Sequence, residues 1–129
     1  MQFNNIRAKI SFGLLIIFMS NLLYAVPTQK LSQAQYNELV QQYTAQVNAT
    51  KQVLDEPNPA SDVTTQKQAF CSRLTAYQQI ADLSKANLEL ESANVTLMIA
   101  NNFLARQKQS FEDSGMTEQV FCARPQTVN

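Results

Sequence analysis

The sequence predicts an all-α protein, a small antiparallel bundle of about three to four helices closed by one disulfide. Three observations carry this. From Ala60 to Ser114 there is neither glycine nor proline, the two residues that most weaken a helix interior. Ala, Leu, Gln, Glu and Lys are common, and no alternating β-branched run marks a strand. Finally, two cysteines, Cys71 and Cys122, lie at opposite ends of the longest helical stretch, and their pairing within one chain requires that stretch to fold back.

The N-terminus reads as an export signal over residues 1–25. Arg7 and Lys9 form a positive start, and Ile10 to Leu23 form an apolar core of signal-peptide length. That core is too short to span a bilayer comfortably, and Ser20 and Asn21 interrupt it. Ala25 offers the small residue before a cut. The expected product is a single helical domain, residues 26–129, in the periplasm or secreted, with no stable membrane insertion after cleavage.

The first helix begins at "LSQAQY". Ser32 can cap it, Gln35 can reach back to complete a capping box, and Leu31 and Tyr36 stand at staple positions. Tyr36, Val40, Tyr43, Val47, Thr50 and Leu54 form its buried stripe at helical spacing, widened by Leu39 and Val53. The helix must stop before Pro57, because the residue preceding proline is pushed out of the α region. One of Asp62, Thr64 or Thr65 then caps the next helix.

From there the helical pattern runs to about Asp113. Phe70, Leu74, Tyr77 and Ala81 make one stripe. Leu83, Leu90, Leu97, Leu104 and Phe111 make a seven-residue ladder, within which "ANLELES ANVTLMI ANNFLAR" (86–106) repeats Ala-Asn and Leu in phase. Ser114-Gly115 closes the helix, Gly favouring the left-handed C-terminal position. "TEQVFCA" adds about two further turns.

Geometry separates two shapes for this region. A straight helix from Cys71 to Asp113 would measure about 63 Å, whereas the chain from Asp113 to Cys122 reaches at most about 30 Å. Paired cysteines need Cα atoms within about 7 Å. Either a hairpin forms between about Leu90 and Asn94, the most polar part of the stretch, or two long-helix chains pair antiparallel through interchain bonds. The hairpin and a monomer are favoured, with "VTLMIANNFL" (95–104) surrounded by other helices.

Composition narrows function by exclusion. The chain has no His and no Trp, which removes Ser-His-Asp and Cys-His catalysis and His-ligated zinc. The cysteines form no C-x-x-C motif, and Gly is too scarce for a phosphate loop. Glu89 with Glu91, and Glu112 with Asp113, read as solvated charges rather than acid–base pairs. No catalytic residue, metal ligand or cofactor site is expected, and the protein is expected not to be an enzyme. Without Arg7 and Lys9, eight basic residues face ten acidic ones, which is no footprint for nucleic acid. The remaining role is binding an envelope or secreted protein, as an inhibitor, immunity protein or adaptor. Tyr36, Tyr43, Met98 and Phe103 are the candidate contacts, aromatics and Met being enriched in interface cores. The alternatives are a periplasmic stress chaperone, by analogy of architecture, and a structural coiled coil.

Overall fold

The computed structural model describes residues 30–57 and 60–123, and the export signal read at the N-terminus lies outside the described residues. Among the described residues the fold is all-helical: α1 (Gln33–Ala49), α2 (Lys51–Leu54), α3 (Val63–Ala86), α4 (Ala93–Asp113) and α5 (Glu118–Cys122). The long α3 is central. α1 runs antiparallel to it on one side, and α4 returns along another.

The start signals form as the sequence predicts. Ser32 caps α1 in a complete capping box with Gln35. Asp62 caps α3, its carboxylate accepting from the Thr65 amide at 2.9 Å. The stripe of the first helix is not continuous, however. At Thr50 the helix divides into α1 and α2, where the Thr50 hydroxyl donates back to the Val47 carbonyl at 2.7 Å. A short hydroxyl that bonds the preceding turn competes with the regular ladder. Here it also accepts from Arg73 Nε at 2.6 Å, while Arg73 Nη1 donates to Asp55 at 2.7 Å. One guanidinium thus ties the α1–α2 joint to α3.

Near the other end of α1, Tyr36 is 1 % exposed and Ser84 0 %. Their hydroxyls share a 2.8 Å hydrogen bond, which satisfies two polar groups that would otherwise be costly to bury. Further down, Ile80 and Ala81 of α3 meet Ala100 of α4, with Tyr43, Tyr77, Leu97 and Leu104 packed around them. Ala100 is fully buried, and its small side chain lets α4 approach α3 closely.

The seven-residue repeat does not form one seam. α3 stops at Ala86, and residues 87–92 make the turn of an α3–α4 hairpin. The turn begins earlier than Leu90 because Asn87 ends α3: its side-chain amide donates to the Leu83 carbonyl at 2.8 Å and its backbone leaves helical geometry. Ser92 then adopts a left-handed conformation, φ 67°, and α4 starts at the next residue. The first seven of the repeat is therefore the turn, and only the second and third lie on α4. Gln33 of α1 staples that turn, accepting from the Glu91 amide at 2.8 Å, and Lys30 pairs with Glu89 at 2.8 Å.

Folding back brings Asp113 to the level of Cys71. Gly115, φ 68°, closes α4 with the paired bonds of a Schellman motif, Gly115 to Glu112 and Met116 to Phe111. Cys71 and Cys122 are bonded within the chain, Cα atoms 5.7 Å apart. The long-helix dimer with interchain bonds is thereby replaced by the hairpin. Phe70, Phe111 and Phe121 cluster beside the bond, ring centroids 5.6–5.9 Å apart.

Candidate interaction surface

The four residues singled out as contacts fall in different places. Tyr36 is in the core, bonded to Ser84, and presents no surface. Tyr43 is half-buried against the Ile80–Ala81–Ala100 cluster. Phe103 stacks on Tyr77 with centroids 4.0 Å apart, so most of its face is engaged within the molecule. Met98 alone is open, 55 % exposed.

Met98 does not stand by itself. Val95 and Ile99, three residues before it and one after, are equally exposed, and that spacing puts all three on one side of a helix. The stretch 95–104 was expected to be enclosed by neighbours. Instead α4 buries only the side carrying Ala93 and Ala100, since α3 lies against it and no described helix covers the opposite side. The exposed side carries no charge from Ser92 to Ala105. Glu91 and Arg106 bound the stretch, both exposed and neither in an ion pair among the described residues. Val95 and Ile99 were missed in the sequence because their helix looked apolar all round. The absence of charge over fourteen positions was the available signal.

A cleft of about 600 Å³ lies between the C-terminal half of α4 and α5. Leu104, Phe111 and Met116 line it together with Lys108, Glu112 and Glu118. Lys108 and Glu112 pair with each other across one turn at 3.4 Å.

The carboxylates serve structural joints. Arg73, hydrogen-bonded to Asp55, holds its carboxyl below the ordinary value. The Thr65 amide and hydroxyl do the same to Asp62, and Lys30 does it to Glu89. Glu89 and Glu91 lie in the turn rather than on a helix, and Asp113 accepts from Gln109. Among the described residues no three His, Cys, Asp or Glu side chains are grouped to hold a metal ion. No described helix is long and apolar enough to cross a membrane. Compared with models of protein families, with curated proteins and with solved structures, the chain matches none.

Proposed function

We propose that this is an exported, non-enzymatic helical protein that acts by binding a protein partner through the uncharged outer side of α4. The observation that carries the reading is the Val95–Met98–Ile99 ridge, apolar and open on a helix whose opposite side is fixed to α3. Grouped apolar exposure of this kind marks interaction sites more often than scattered exposure does. Export is supported by the signal-like residues 1–25 and by the Cys71–Cys122 bond, since such bonds persist in oxidising compartments. The envelope or the extracellular space is the expected location.

A photo-crosslinking amino acid placed at Met98 in the producing cell tests the reading, with Gln41 on the exposed side of α1 as control. A discrete protein adduct from position 98 and none from position 41 is expected. No adduct, or the same smear from both positions, sinks it. The intact mass of the exported protein should lack residues 1–25.

One observation favours a second reading, an envelope chaperone released by acid. Asp55, Asp62 and Glu89 each hold a joint as carboxylates, and protonation loosens all three. Suppression of client aggregation at about pH 3, absent at neutral pH, would support it; no suppression removes it.

A further inference from the structure

We propose that the Cys71–Cys122 bond is a redox latch on α5. Oxidation docks α5 and completes the cleft beside α4; reduction by a dithiol releases α5 and dissolves the cleft. The latch lies at the opposite end of α4 from Val95, and it stands apart from whatever the outer side of that helix binds.

Little besides the bond holds α5 in place. Every residue from Met116 to Ala123 is exposed except Phe121 and Cys122, which are half-buried. Phe121 rests edge-on against Phe70 and tilted against Phe111, and Lys67 Nζ stands 5.5 Å from the centre of its ring. Among the described residues no hydrogen bond of α5 reaches α3. A helix of five residues is far below the length that holds in water by itself, and one half-buried phenyl ring does not offset the ordering of the whole segment. α4, by contrast, packs on α3 through Leu97, Ala100 and Leu104, so it keeps its place when the bond opens.

The chemistry is thiol–disulfide exchange. Neither cysteine is fully buried, which leaves the bond within reach of an attacking thiolate. One thiolate of the dithiol attacks one sulfur, forms a mixed disulfide and displaces the other cysteine as a thiolate. The second thiolate of the reductant then closes on the first and frees the remaining cysteine. An electron pair passes to the protein, its thiolates take up protons, and the dithiol becomes a disulfide. α5 and its lead-in leave with Met116, Thr117, Glu118 and Gln119, which line one side of the cleft. Phe70 and Phe111 lose Phe121 at the same step. The reduced chain therefore presents an apolar ring pair where the oxidised chain presents a cleft. For an exported chain, made in a reducing compartment, the cleft is completed only on arrival in an oxidising one.

Nuclear magnetic resonance of the purified exported protein at room temperature, oxidised and then equilibrated with excess dithiothreitol, tests the latch. Cross-relaxation between the Phe121 ring and the rings of Phe70 and Phe111 is expected when oxidised and lost when reduced. The Cys71→Ser/Cys122→Ser variant should match the reduced form. Contacts between Tyr77 and Phe103, stacked at 4.0 Å, should persist in all three, and reoxidation should restore those of Phe121. Reduction should also proceed in native buffer at a rate that urea below the unfolding transition leaves unchanged. Phe121 contacts that survive reduction show α5 held without the bond and overturn the proposal. Loss of the Tyr77–Phe103 contacts together with those of Phe121, or reduction that accelerates with sub-denaturing urea, overturns it as well, because the bond then opens only with the whole bundle.

Discussion

Replacing Cys122 with Ser tests whether the α5 end belongs to the same cooperative unit as the bundle. The bond joins positions 51 apart in sequence, and closing a loop of that length removes about 4 kcal/mol of unfolded-chain entropy. For a domain of about one hundred residues, each kcal/mol is worth about 4–8 °C, so a drop near 20 °C in Tm is expected. The structure adds a local consequence. Among the described residues, the hydrogen bonds of α5 and its preceding turn run only to one another and to the end of α4. It reaches α3 through Cys71 and through Phe121 against Phe70. Without the bond, Phe121 loses its tether and the Phe70–Phe111 pair gains solvent. Thermal melts followed by circular dichroism at 222 nm, comparing wild type, Cys122→Ser and the Cys71→Ser/Cys122→Ser pair, measure the effect. Wild type should also run faster on a non-reducing gel than after reduction. A Tm drop under about 5 °C would refute the reasoning, showing that α5 detaches without weakening the rest. A covalent dimer on the gel would refute the intrachain bond itself.

Three further outcomes follow from the core and the turns. Ser84→Ala leaves the Tyr36 hydroxyl buried without its 2.8 Å partner and should cost about 1–3 kcal/mol. Tyr36→Phe should cost less, because the Ser84 hydroxyl can turn to a carbonyl of its own helix; urea unfolding of both singles and the double gives the coupling, and additivity would dismiss the bond. Ser92→Gly should stabilise by up to about 1 kcal/mol, since a left-handed backbone is strained for a residue with a side chain, while Ser92→Val should destabilise; equal melts would contradict the φ of 67°. Asp55, Asp62 and Glu89 titrate below their ordinary values of 3.8, 3.8 and 4.5. Lowered folded values mean their stabilisation is complete above the ordinary carboxylate range and is lost as pH falls through it and below. Tm should therefore be level from about pH 6 to 8 and fall below about pH 4.5, and the fall should be smaller in Asp55→Asn combined with Glu89→Gln.

What the sequence determined was local or topological. Ser32 with Gln35 sets the start of α1, and Asp62, Thr64 or Thr65 bounds the start of α3, because a capping side chain bonds amides only three residues away; Gly115 sets an end because few other residues adopt positive φ readily. The sequence also narrowed the shape to two, a fold-back or an antiparallel pair of chains, since the distance between Cys71 and Cys122 forbids an intrachain bond on a straight helix; the turn at 87–92 decides for the fold-back. Tertiary contacts decided the rest. Tyr36 stands in the apolar stripe of α1, and only the fold brings Ser84, 48 positions away, to share its hydrogen bond. Thr50 continues an apolar stripe until Arg73 of α3 bonds its hydroxyl. The repeat at 86–106 keeps its phase through the hairpin because periodicity counts residues and not turns, so Asn87 is buried at a helix end while Asn94 and Asn101 face solvent. Most consequential is the side of α4 carrying Val95, Met98 and Ile99. An all-round apolar helix states how much surface could be covered; only the number of helices placed around it determines which side stays open.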